Sequence, residues 1–196
     1  LQSANNENLR TVALMDLVNT YEEEYVAGMQ HEHSHGYNET HGGDHSGEDE
    51  HIWLSIKNAV TITEKLCDTV CEIDSENAET YNPNSEKYIS ELKALDAEYS
   101  ALIDSSARKT LLFADRFPFR YLAEDYELNC FAAFAGCSSE SEASFETITF
   151  LAEKVDELGV DTVYVIENSD EKLAQTIIDN TKSKNQEIVV INSIQS

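Results

Sequence analysis

All six histidines of this 196-residue sequence lie between His31 and His51. Five of them, His31, His33, His35, His41 and His45, alternate with Glu, Asp, Gly and Ser across residues 30–48, a tract with almost no apolar side chain after Tyr37. Neutral imidazole is a good ligand for Zn(II), and a tract in which nothing fixes which nitrogens converge can gather ions in varied geometries. An affinity tag would be contiguous and terminal, whereas this tract is internal and interleaved with acids. Its composition therefore points to metal binding, and having so little to bury it is expected to be a flexible, solvated loop. His51 stands apart from the other five. It occurs where apolar residues return, in Asp49-Glu50-His51-Ile52-Trp53-Leu54-Ser55, an imidazole at the mouth of an expected helix beside an aromatic ring. On the residues alone, a satisfied structural histidine fits that position as well as a metal ligand does.

Hydrolytic chemistry would need a metal-bound water with a general base beside it, for instance His51 with Glu167. No HExxH, GxSxG or P-loop pattern supports it, so no catalytic residue is assigned. The cysteines, Cys67, Cys71, Cys130 and Cys137, include no CxxC pair and do not read as a zinc finger; they leave disulfides open. Thirty-eight acidic against thirteen basic residues give a net charge of -25, which repels nucleic acid and anionic lipid headgroups and raises the local concentration of cations.

The elements that must carry these residues follow from periodicity. Residues 10–18 read as a short buried strand with a weak helical stretch behind it, as if earlier βα units preceded the chain. Val60, Ile62, Leu66, Val70 and Ile73 recur at helical spacing over residues 57–73. Asn82-Pro83-Asn84 predicts a break, after which Tyr88, Leu92, Leu95, Tyr99 and Leu102 mark one long amphipathic helix over 85–104. From Lys109 onward strands and helices alternate: strands at 110–114, 130–134, 162–166 and 187–191, helices at 119–126, 145–158 and 171–182. Buried Val and Ile runs alternating with helices predict an α/β fold with a parallel, helix-covered sheet. Glu167, just after a strand, reads as a solvated strand-end carboxylate or a ligand at the open-sheet position. Arg116 and Arg120 are expected to pair with carboxylates such as Asp115 or Asp125.

The stretch Asp49 to Leu54 resembles the Asp-Pro-His-Val-Trp-Leu motif of the zinc/manganese-type substrate-binding proteins of bacterial ABC transporters, with Glu50 in place of the proline. The similarity continues in order: Lys57-Asn58-Ala59, Asn77 and Tyr81, then Phe119-Arg120-Tyr121-Leu122-Ala123-Glu124-Asp125-Tyr126 against the family's Phe-x-Tyr-Leu-Ala-x-x-Tyr. Glu142-Ala143-Ser144 and Val165-Ile166-Glu167 match its Glu-Pro-Ser and Phe-x-Glu pieces. The resemblance implies a partial amino-terminal lobe (1–84, with the histidine loop at 30–48), a long linking helix (85–104) and a carboxyl-terminal α/β lobe (105–196).

It also implies a metal held between lobes. His51 matches one ligand. The family's third ligand falls on Arg116, which cannot bind a metal, so Asp115 is expected to take its place. The fourth falls on Asn192, a neutral oxygen donor. The family's first histidine has no counterpart in this chain. The resemblance further implies Zn(II) as cargo, an ABC permease in the membrane as partner, and an extracytoplasmic location with a lipid anchor outside this chain. Mn(II) is the other candidate, since histidine-rich loops suit zinc and carboxylate-rich clefts suit manganese. The rival reading is a surface metal buffer acting through the loop alone.

Overall fold

Leu112, Phe113 and Ala114 are consecutive, and all three are buried, which requires packing on both faces of a strand. In the computed structural model, which describes residues 9–23, 28–29, 47–136, 138 and 142–194, they lie in β1 (Thr110–Phe117). With β2 (Asn129–Ala135), β3 (Thr162–Ile166) and β4 (Glu187–Ile191), β1 forms a parallel sheet of order β2-β1-β3-β4. The four strands expected from Lys109 onward are present, and β1 is longer than expected, with a bulge between Phe113 and Arg116 that re-aims its last residues.

Alternation assigns the faces. Leu112, Ala114, Val163 and Val165 point into one core with α4 (Phe145–Leu158) and α5 (Lys172–Asp179). Phe113, Phe117, Tyr164, Ile166 and Ile191 point into a second core with Phe119, Leu122 and Ala123 from the region of α3 (Arg120–Asp125) and with Leu54. Helix α4 begins where the Ser144 side chain accepts the Thr147 N–H, at 3.1 Å, and ends at Gly159, whose left-handed φ of 61° suits a residue without Cβ.

Ahead of the sheet lies a helical hairpin, α1 (Ile56–Ile73) and α2 (Ala78–Ser105). Helix α2 runs straight through the expected break at Asn82-Pro83-Asn84. Pro83 removes one intrahelical bond, to the Glu79 carbonyl, and only near the helix start. The contacts of α2 with α1 outweigh that loss, among them the Asn82 side chain, which accepts from both Cys67 and Cys71. The turn between the helices is closed by Asp74, whose Oδ2 accepts from the Tyr81 hydroxyl at 2.7 Å and from Asn77 Nδ2 at 2.8 Å.

The strand expected over residues 10–18 does not form. Residues 9–14 are exposed, Leu14–Leu17 is a 3-10 turn, and among the described residues no strand pairs with the run. The nearest ladder is a short antiparallel neck in which Glu22 bridges Glu48, Glu23 N–H donates to Gly47 O, and Asp49 N–H donates to Tyr21 O at 2.7 Å.

Candidate metal centre

His51 stands just before the 3-10 turn Ile52–Leu54 and is 3% exposed. It packs on Gly136, at the carboxyl end of β2. A Cβ at Gly136 would come within 3.0 Å of both His51 Cε1 and the Phe117 carbonyl, so glycine there is what allows the imidazole to reach the sheet edge. The carboxyl edge of a parallel sheet is where open α/β folds bind ligands.

The orientation of the ring is fixed by Asp49, itself 3% exposed. One carboxylate oxygen, Oδ1, accepts both the His51 backbone N–H and His51 Nδ1, each at 2.8 Å. A carboxylate has only acceptors to offer, so Nδ1 carries a proton, and in the neutral imidazole the lone pair is on Nε2. A carboxylate behind an imidazole is the usual outer support of a metal-ligating histidine, since it fixes the tautomer and raises the basicity of the other nitrogen. Asp49 is held in turn by Tyr121, whose hydroxyl donates to the Asp49 carbonyl at 2.6 Å; burial pushes that hydroxyl's pKa up and keeps its proton in place. The part played by Asp49 was missed from sequence. Its signal was there, two residues before a histidine in the motif, but short-range spacing does not show which backbone turn lets the side chain fold back.

The other expected ligands are differently engaged. Asp115 Oδ1 accepts the Arg116 N–H at 2.8 Å and its Oδ2 accepts the Ile166 N–H at 3.3 Å, so this carboxylate ties β1 to the end of β3. Asn192 is exposed, and its Oδ1 accepts the Ile194 N–H at 2.6 Å. Glu167 is not the solvated carboxylate expected: it clamps the segment after β4, accepting Ser193 N–H at 2.8 Å and Ser193 Oγ–H at 2.7 Å. Arg120 pairs with a carboxylate as expected, reaching Glu124 at 3.5 Å, and lies over the Tyr21 ring. His51, Asp115, Glu167 and Asn192 therefore share one edge of the fold, yet among the described residues no three His, Cys, Asp or Glu side chains converge as a metal cluster. The loop histidines, His31, His33, His35, His41 and His45, lie outside the described residues, as does Cys137, while Cys67 and Cys71 are free thiols.

The chain belongs to the family described as zinc-uptake complex component A, periplasmic (ZnuA), whose profile matches residues 1–196. Among its relatives, the zinc-binding protein AdcA of Streptococcus pyogenes is 31% identical over 161 residues, covering 78% of this chain and 31% of AdcA. The zinc-bound ZnuA-like domain of AdcA from Streptococcus pneumoniae has a TM-score of 0.61 at 28% identity, covering 76% of this chain and 54% of that one. A zinc-bound variant of AdcAII from the same species has a TM-score of 0.63 at 28% identity, covering 77% and 53%. The chain thus spans 31% of the length of the curated relative that it matches.

Proposed function

We propose that this chain is part of an extracytoplasmic protein that captures Zn(II), with Mn(II) as the weaker competitor, and delivers it to an ABC permease, with no catalytic step. The observation that carries this reading is His51, buried at the sheet edge with Nδ1 committed to Asp49 and Nε2 left to bind an ion. Zinc-bound relatives of the same fold support zinc as the cargo. Among the described residues no helix is long and apolar enough to cross a membrane.

In this reading residues 1–84 belong to an amino-terminal lobe, 85–104 form the body of a linking helix and 105–196 form the carboxyl-terminal lobe; the continuous course of α2 supports the middle assignment. Asp115 and Asn192 act as additional oxygen donors once the edge closes on an ion, and the loop histidines bind further ions upstream of it.

The test is calorimetric titration of zinc into a variant lacking residues 30–46, which removes the loop histidines but keeps the neck at Gly47–Asp49. In that background, with Cys67 and Cys71 changed to Ser so that no thiol competes for the ion, His51→Ala should weaken the remaining site by more than about tenfold, and Asp49→Asn by about tenfold. Unchanged affinity in His51→Ala would remove the sheet edge from the function.

A further inference from the structure

Helix α1 carries Cys67 and Cys71 one turn apart, both as free thiols. Side chains at i and i+4 share a helix face. Here that face is turned toward α2, because each Sγ lies within reach of a single acceptor, Asn82 Oδ1, at 3.5 Å for Cys67 and 3.6 Å for Cys71. Two sulfurs and an amide oxygen thus face a common point beside a cleft of about 460 Å³ between the helices. Glu64, Asp68 and Glu86 line the same cleft together with Lys93, which reaches Glu64 at 4.0 Å, so the lining keeps a net negative charge.

Two neighbouring thiols have two common fates, and helix geometry separates them. Cβ atoms at i and i+4 are about 5–6 Å apart, whereas a disulfide draws them to about 3.8 Å. Closing that bond would require unwinding a turn inside α1. A metal ion needs no such approach, because each metal–sulfur bond of about 2.3 Å spans part of the gap. Thiolate ligands select soft cations, in contrast to the imidazole and carboxylates of the sheet edge.

We propose that Cys67, Cys71 and Asn82 form a second metal site, independent of the one at His51, that takes a single thiophilic divalent cation of the Zn(II)/Cd(II) type. On binding, each S–H bond breaks and a sulfur–metal bond forms, two protons pass to solvent, and Asn82 Oδ1 changes from hydrogen-bond acceptor to oxygen ligand, with water in the fourth position. Burial holds the Cys71 thiol above its ordinary pKa, with the neighbouring Cys67, Asp68 and Asp74 adding to the effect. The ion therefore has to displace a bound proton, and the same acidic surroundings favour its positive charge. Because Asn82 belongs to α2, the bound ion ties the two helices together across their open face.

Cd(II) is the probe, since a cadmium–thiolate bond gives an ultraviolet charge-transfer band that imidazole and carboxylate ligands do not. In the reduced chain carrying Cys130→Ser and Cys137→Ser, the band should grow to saturation at one ion per chain. Adding Cys67→Ser and Cys71→Ser should abolish it, with helix content unchanged by circular dichroism because both positions are only half-buried. Asn82→Ala should keep the band and weaken cadmium binding about tenfold or more. A band that persists without Cys67 and Cys71, or that never appears with them, overturns the site. Wild-type cadmium affinity in Asn82→Ala overturns the link to α2.

Discussion

Helix α4 has 14 residues and buries Thr147, Leu151, Ala152 and Val155; helix α2 has 28 residues and buries none. Both show apolar residues at helical spacing, so periodicity alone does not tell a covered stripe from an uncovered one. In α4 the stripe meets Leu112, Ala133 and Val163 of the sheet. In α2, Tyr88 and Leu102 are 52% and 69% exposed, and Leu95, Tyr99 and Leu102 border an apolar groove of about 980 Å³ whose other wall includes Phe113, Tyr164 and Ile191. The sheet region is held by burial. The hairpin is held by bonds at a few points: Ser55 at the start of α1, Asp74 at its end, and Asp96 of α2, which accepts the Tyr126 hydroxyl at 2.8 Å.

The difference is tested most strongly by truncating one leucine in each region. Leu151→Ala, in a site with no exposed surface, should cost about 3 kcal/mol in urea unfolding, while Leu102→Ala should cost less than about 0.5 kcal/mol. Equal costs would mean that α2 is packed as α4 is. A smaller effect is expected at the junction. Ser55 Oγ accepts the Asn58 N–H at 2.9 Å as the cap of α1 and donates to Asp125 at 2.6 Å, joining the hairpin to α3. Ser55→Ala should cost about 1–2 kcal/mol. Amide exchange should quicken in α1 and stay unchanged in α4; equal acceleration in both would show the two regions opening as one unit.

The smallest effect belongs to the turn. Tyr81 holds the Asp74 carboxyl below its ordinary value of 3.8, so that share of stability is present above this value and is lost as pH falls through the lowered one. Asp74 holds the Tyr81 hydroxyl above its ordinary value of 10.0, so that share is complete below it and is lost as pH rises through the raised one. The stability lost in Tyr81→Phe should be small, flat between about pH 5 and 9, and shrinking on both sides. A difference that grows in acid would assign the bond's effect to some other group.

Most of the sheet region was legible because its signals are local. β3, β4 and α4 fall where their apolar runs and the Ser144 cap place them. Two errors came from reading local signals without their surroundings. The apolar run near Leu14 looks like a strand but has no pairing neighbour among the described residues, and Pro83 looks like a stop although α1 supports the helix on both sides of it. The site was legible in part: motif resemblance singled out His51. Which atoms face it depends on where the chain folds back, and so Asp49 went unnoticed, as did the two backbone amides that hold the Asp115 carboxylate.

Trp53 is the only tryptophan in the sequence. Its indole N–H donates to the Ser193 carbonyl at 3.2 Å, and its ring centre lies 5.4 Å from that of His51. Fluorescence excited at the red edge, where tyrosine does not absorb, therefore comes from a single chromophore placed between the histidine and the segment after β4. A cation settling on His51 brings positive charge close to this partly exposed indole and should shift its emission. Ions taken up elsewhere on the chain should leave its spectrum unchanged, giving a direct optical count of how often the sheet edge is filled.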